Sequence, residues 1–203
     1  LEIIRLSPRS EYGLFARAWM LYIDGKHEEA VKTCTEAIGL NPGEPLFYHN
    51  RAVSLVILFK RSGKRTLIDN ALTDLNRSIA LDRSYAGSYS ARAEVKLLLK
   101  EYSAAIADYS EAIKFKESDP QLWYSRGLAR LSGLNDSRGA ESDASQAIQI
   151  DPQFAAAWCL RGVARLNLGN KRGACSDYRK AGSLDPGSCL FGGEGGIIPG
   201  CND

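Results

Sequence analysis

An arginine followed by alanine or glycine occurs five times in the chain, as Arg17-Ala18, Arg51-Ala52, Arg92-Ala93, Arg126-Gly127 and Arg161-Gly162, at intervals of 34, 41, 34 and 35 residues. Two further columns, Ala30, Ala71, Ala105, Ala140, Ala174 and Ala37, Ser78, Ala112, Ala147, Ala181, run at 41, 34, 35 and 34. A fixed period constrains the fold more than any composition figure. Each unit must be one supersecondary element that cannot bury its apolar face alone and has to stack on its neighbours. Five units of 34 residues with insertions of seven and one account for 11–188, as 11–44, 45–85, 86–119, 120–154 and 155–188. Segment 1–10 and a glycine-rich tail, 189–203, lie outside. From the arginine to the first alanine column is 13 residues in units one, three and five, 20 in unit two and 14 in unit four, so both insertions are expected in the turn between paired helices.

Each unit contains two helix-period segments, for example Ala155 to Leu168 and Lys171 to Ser183, separated by Gly169-Asn170 and ended by Asp185-Pro186. That pattern predicts a helical hairpin. Here the sequence resembles the tetratricopeptide repeat family, whose units carry a large residue at position 4, small ones at 8, 20 and 27, an aromatic at 24 and proline at 32. Unit five has all of them, as Trp158, Gly162, Ala174, Tyr178, Ala181 and Pro186. Units two and three depart at their ends, with Arg83 and Glu117 for the proline, and unit four has Ala144 and unit one Cys34 at the aromatic position. The resemblance implies an all-α, right-handed α-solenoid of five helix-turn-helix repeats, with a concave surface lined by the first helix of each pair. It also implies a non-catalytic scaffold or adaptor, an assembly factor or co-chaperone, that binds a peptide or helix of another protein in that groove.

Arginine stands at position 7 of every unit, and Asp74, Asp108, Asp143 and Asp177 at position 23 of units two to five. Identical placement in each repeat is what structural pairing between stacked helices requires, so these charges are assigned to the framework, as are Trp123 and Trp158 at position 4. Trp19 falls outside that pattern. With Tyr12, Phe15 and Tyr22 it forms an aromatic stripe spaced 3, 4 and 3 along one helix face, opposite the packing stripe Leu14, Ala18, Leu21. A helix apolar on two sides should be covered on both, either by segment 1–10 with Ile3, Ile4 and Leu6 as a cap, or by a partner, or by self-association through an uncapped end.

The register puts Leu46, His49, Val53 and Val56 of unit two on the concave side, then Gly87, Ser90, Glu94 and Leu97 of unit three. Units four and five add Gln121, Tyr124, Leu128, Leu131 and Ala156, Cys159, Val163, Leu166. This face is mostly apolar and suits a helix or an extended apolar peptide. The residues expected to touch a partner are Tyr12, Phe15, Trp19, Tyr22, His49, Asn50, Val53, Glu94, Tyr124 and Leu128. Some members of the family grip the carboxylates of chaperone tails with lysines, asparagines and an arginine. Of that clamp only Asn50 is matched, and Phe15, Trp19, Gly87 and Ala91 stand at its other positions, so no pair of carboxylates could be held there electrostatically.

With 26 basic and 24 acidic residues, the net charge of +2 gives no global attraction to nucleic acid or an anionic membrane. One local patch stands out, Lys60, Arg61, Lys64 and Arg65, in a stretch with no acid from Pro45 to Ile68, and Asp69 suits the N-cap of the helix that follows. Binding of nucleic acid or another acidic surface through this patch is the alternative function; a regulatory or targeting module of a larger enzyme is a third. His27 is expected to pack in the turn of unit one. Only His27 and His49 are available, so neither a zinc site nor a catalytic constellation is expected, and no cofactor is called for. No apolar run approaches the roughly 20 residues of a membrane span. Five cysteines without a C-x-x-C point to reduced thiols in a cytoplasmic or other reducing compartment, with a Cys189 to Cys201 bridge as the main exception. A chain beginning at Leu1 is also compatible with a removed targeting segment.

Overall fold

The computed structural model describes residues 10–187 together with Cys189 and Cys201. The described residues form helices joined by short turns: α1 (Glu11–Ile23), α2 (His27–Leu40), α3 (Pro45–Ser62), α4 (Arg65–Leu81), α5 (Ala86–Leu98), α6 (Tyr102–Phe115), α7 (Pro120–Leu134), α8 (Ser137–Ile150), α9 (Ala155–Asn167) and α10 (Lys171–Leu184). Two compact units divide at Val95 and Lys96, within α5. In the first, hairpins α1/α2 and α3/α4 stack through α2 on α3. In the second, α6 lies on hairpin α7/α8, which stacks through α8 on α9/α10.

Local sequence explains where the helices start and stop. The Ser10 hydroxyl accepts from the Gly13 amide at 3.1 Å, and the carboxylates of Glu44 and Asp119 cap α3 and α7, each with proline in the first turn. Asp136 and Asn170 accept from the third amide of α8 and α10, both at 2.9 Å. The helix α3 ends on Gly63 at φ +68°, a left-handed turn that favours a residue without Cβ.

The seven-residue insertion does not form a longer turn. It lengthens α3 to 18 residues and α4 to 17, where the other hairpins have first helices of 13 to 15 residues and second helices of 14. Leu58 to Ser62 contain no helix breaker, so α3 continues to Gly63. Lys60 and Arg61 therefore occupy its last turn, where cations complement the helix dipole. Asp69 correspondingly lies one turn inside α4 and pairs with Arg65 at 2.9 Å instead of capping.

The small-residue columns are the lines along which helices cross. Ala18, Ala30, Ala37, Ala52, Ala71, Ser78, Ala93, Ala105, Ala112, Ala140, Ala147, Ala174 and Ala181 are all buried. A Cβ on Gly162 would stand 2.7 Å from the Tyr178 ring, so position 8 of that hairpin has no room even for alanine.

The arginine and aspartate columns form a framework ladder. Asp74 receives Arg51 Nε and Nη2, both at 2.7 Å; Asp143 receives Arg126 at 3.0 and 2.7 Å; Asp177 receives Arg161 at 2.9 and 2.8 Å. The remaining guanidinium nitrogen reaches back to the preceding hairpin, from Arg51 to Thr35, Arg126 to Ser110 and Arg161 to Ser145. Both tryptophans at position 4 lie against these cations, Arg126 at 4.8 Å and Arg161 at 4.6 Å from the ring centroids, and donate their indole N–H to Glu117 and Pro152 carbonyls. Asp108 pairs with Lys96 at 2.7 Å, and Arg92 donates to the Asn76 side-chain oxygen at 2.7 Å. In the first hairpin the acid is replaced by Thr33, and Arg17 is exposed.

Candidate functional site

The first unit contains a concavity bounded by α1, α2 and α3. Trp19 and Tyr22 form one wall, stacked at 5.6 Å with their planes 20° apart, and His49, Asn50 and Val53 of α3 form the other. Ala18, Cys34 and Ser54 complete the lining, and the cavity measures about 220 Å³. The helical periods explain this convergence. Ala18, Trp19 and Tyr22 are three or four residues apart on α1, and Asn50, Val53 and Ser54 likewise on α3.

No lining side chain carries a charge at neutral pH. Burial lowers the His49 pKa to about 4, so its imidazole is neutral. Its ring stands edge-on to Tyr85 at 5.1 Å, and Nδ1 lies 3.3 Å from the Ser88 hydroxyl, which meets the Ser78 hydroxyl at 2.7 Å. Burial also pushes the Cys34 thiol up to about 12, which removes thiolate chemistry from the site. The Ser54 hydroxyl is buried, 1% exposed, and has no hydrogen-bond partner. A buried hydroxyl without a partner is a place where an incoming polar atom gains stability.

Five of the residues expected to bind a partner meet here: Trp19, Tyr22, His49, Asn50 and Val53. Others do not. Phe15 turns toward Phe47, 5.8 Å between centroids, and packs on the Leu14, Ala37, Phe47 cluster, so it serves the core. Tyr12 is 62% exposed and does not line the cavity, and Glu94 is also exposed and outside it. Val56, placed on the concave side by register, is 6% exposed. Tyr124 and Leu128 belong to the second unit, where Tyr124 lies 5.1 Å from Phe154 and Leu128 is 41% exposed. Cys34 and Ser54 were missed because small residues at buried register positions look like packing.

The aromatic stripe of α1 is thus divided, with Phe15 covered while Tyr12, Trp19, Met20 and Ile23 remain 41% to 65% exposed. Of segment 1–10, expected as a cap, residues 1–9 lie outside the described residues. His27 packs as expected, edge-on to Tyr22 at 5.4 Å, and burial followed by the nearby Arg61 lowers its pKa. Of the basic patch, Lys60, Arg61, Lys64 and Arg65 are all exposed, and Arg65 is engaged with Asp69.

Cys159 lies beside Cys189 and Cys175 beside Cys201, with Cα separations of 5.6 and 5.4 Å that a disulfide can span, and Cys34 is buried apart from both pairs. Both tail cysteines sit against the α9/α10 core cluster, which spacing alone does not reveal. Among the described residues no helix is long and apolar enough to cross a membrane, and no cluster of side chains could hold a metal ion.

Comparison with known proteins agrees with this architecture. A family model described as "Tetratricopeptide repeat" matches residues 13–44 and 155–188, and one described as "TPR repeat" matches 97–132. Serine/threonine-protein phosphatase 5 of Mus musculus is 33% identical over 93 residues, 46% of this chain and 17% of that protein. Hsp70-Hsp90 organizing protein 3 of Arabidopsis thaliana is 34% identical over 89 residues, 44% of this chain and 15% of that protein. The chain thus matches less than a fifth of the length of these curated relatives. Among solved structures, the MamA protein superposes with a TM-score of 0.72 at 18% identity, covering 89% of this chain and 94% of that one. YrrB, titled a TPR protein with an unusual peptide-binding site, superposes with a TM-score of 0.68 at 17% identity, covering 92% of both chains. At those identities the structures share the fold alone.

Proposed function

Since the chain belongs to the tetratricopeptide repeat family, we propose that it is a non-catalytic adaptor whose first unit captures an uncharged, mainly apolar side chain of a partner peptide in the cavity between Trp19 and His49. The observation that carries this reading is the lining itself. Aromatic and aliphatic surface from Trp19, Tyr22 and Val53 faces polar but neutral groups of His49, Asn50 and Ser54. A charged side chain would lose its hydration there without gaining a counter-ion. An aliphatic or aromatic one would contribute about 1.5–3 kcal/mol by burial alone. The names of the relatives are compatible with an adaptor role, but the absence of lysine and arginine from the cavity disfavours a carboxylate-clamping co-chaperone.

The test is selection of phage-displayed peptides on the folded chain. Selected peptides should share an uncharged apolar anchor, lose at least tenfold in affinity on Trp19→Ala or Val53→Asp, and keep their affinity on Leu128→Ala. Binding should change little between low and high salt. Peptides that are acidic, released by salt and dependent on Lys60 and Arg61 would favour the basic segment instead. Peptides indifferent to Trp19 and Val53 would refute the cavity.

A further inference from the structure

We propose that the first unit binds an arginine of a partner protein on the far side of α3 from the Trp19 cavity, where the guanidinium completes the buried carboxylate of Asp74. A carboxylate has about four lone-pair sites, and in the last two hairpins the framework aspartate uses three of them. Asp143 Oδ2 accepts from Arg126 Nε at 3.0 Å and also from Arg130 Nη1 at 2.9 Å. Asp177 Oδ2 accepts from Arg161 Nε at 2.9 Å and also from Arg165 Nη1 at 2.8 Å. The second cation comes each time from position 11 of the repeat, and Lys96 at position 11 of unit three reaches Asp108 Oδ2 at 2.7 Å. In unit two position 11 is Leu55. Among the described residues Asp74 therefore receives only Arg51, at 2.7 Å on each oxygen.

A cavity of about 340 Å³ lies at that place, with Arg51 and Asp74 in its lining. Val31 and Leu55 give it an apolar side, and the exposed Thr35, Asn70 and Thr73 a polar one. Arg51 and Leu55 are one turn apart on α3 and point away from Asn50 and Val53, so this cavity and that of Trp19 lie on different sides of one helix. The lining suits arginine part by part. Asp74 Oδ2 takes a charge-assisted bond, and the methylenes of the incoming side chain lie along Val31 and Leu55. The hydroxyls of Thr35 and Thr73 donate to carbonyls of their own helices and keep lone pairs for the remaining N–H groups. An ammonium is more strongly hydrated and lacks the planar fork that reaches carboxylate and hydroxyls together.

Two features of the neighbourhood are compatible with a second cation. Asp143 holds Arg126 and Arg130 at once, so the presence of Arg51 does not bar another guanidinium from Asp74. Val31 follows the first alanine column, and the residue at the same place in the hairpin before Arg130 is the apolar Ile106, so no further acid is needed there. Because the chain's own position 11 is leucine, the guanidinium has to come from outside, past the exposed threonines and Asn70. Arginine set against a desolvated carboxylate is among the side chains that anchor protein interfaces. The site thus adds a charged anchor point to the first unit, independent of the apolar one.

The experiment uses the full chain and a peptide blocked at both ends, Gly-Ser-Arg-Ser-Gly, with saturation-transfer NMR read from the arginine side-chain protons. The comparison peptide carries citrulline, neutral and of nearly the same shape, in place of arginine. The arginine peptide should give a saturable signal, and the citrulline peptide should bind about tenfold more weakly or worse. Leu55→Arg sets the chain's own guanidinium on Asp74, as Arg130 and Arg165 are set on theirs, and should abolish the signal, while Leu55→Met should keep it. Circular dichroism checks the fold of each variant, and Leu55→Lys, after the pattern of Lys96, replaces Leu55→Arg if helicity is lost. Trp19→Ala should leave the arginine signal intact, and Leu55→Arg should still bind peptides with an apolar anchor, so each of the two sites can fail without the other. Equal binding of the arginine and citrulline peptides would overturn the proposal, as would a signal that survives in folded Leu55→Arg or disappears with Trp19→Ala. A parent chain that dimerises in sedimentation where Leu55→Arg stays monomeric would give the site to a second copy and overturn it too.

Discussion

Replacing Asp143 by alanine tests whether the repeated charges are framework or ligand-binding row. Asp143 is 1% exposed and accepts three guanidinium nitrogens, Arg126 Nε at 3.0 Å, Arg126 Nη2 at 2.7 Å and Arg130 Nη1 at 2.9 Å. Its removal leaves two cations, with side chains 12% and 25% exposed, facing no carboxylate at their centre. Arg130 keeps a looser contact with Asp136 at 3.9 Å, but Arg126 retains only the Ser110 hydroxyl and the Trp123 ring. Breaking a buried pair in this way costs about 3–5 kcal/mol. At roughly 2–4 °C per kcal/mol for a chain of this size, the melting temperature should fall on the order of 10 °C. The internal reference is Asp69→Ala, which breaks an exposed pair whose side chains are 67% and 50% accessible and should cost no more than about 0.5 kcal/mol. Urea unfolding followed by far-UV circular dichroism measures both. A loss below about 1 kcal/mol for Asp143→Ala, or one equal to that of Asp69→Ala, would refute the framework assignment.

His49 makes stability depend on acid. Its folded pKa of about 4 lies below the usual value of 6.5, so the unfolded chain binds more protons between the two. Stability should be complete above about pH 6.5 and fall by about 2–3 kcal/mol as the pH drops to about 4. His49→Gln should flatten that part of the urea midpoint profile, and an unchanged slope would show that other groups cause it. Gly162→Ala should destabilise despite alanine's better helix propensity, because the new methyl meets the buried Tyr178 ring at 2.7 Å. The expected net cost is about 1–2 kcal/mol by thermal unfolding, and a gain in stability would mean the ring moves aside freely.

The parts of the fold that repeat were legible in the sequence, because a contact made in several hairpins leaves a column. Arg51, Arg126 and Arg161 with Asp74, Asp143 and Asp177 were readable as paired because they recur. Trp19 was singled out because it breaks the columns, and the structure does place it on a cavity. Features that occur once were harder. The insertion after Leu58 looked like a turn, since nothing in the column spacing distinguishes seven residues added to a loop from one turn added to each of two helices. Phe15 shares the stripe of Trp19, yet Phe47 across the hairpin interface captures it. The neighbours of the tail cysteines were not legible either, since sequence distance favours Cys189 with Cys201, whereas packing brings each of them to a different helix. Ser54 gave no signal as a serine; what makes it notable is burial without a partner.

The most direct test of the docking cavity uses its tryptophan as a reporter. The chain contains three, Trp19, Trp123 and Trp158, so 5-fluorotryptophan labelling gives three fluorine resonances assignable by single Trp→Phe variants. On titration with a peptide selected as above, the Trp19 resonance should shift and saturate with the binding isotherm, while Trp123 and Trp158, held against Arg126 and Arg161, should stay in place. Saturable binding that leaves Trp19 unmoved, or that moves Trp123 or Trp158 instead, would contradict the account.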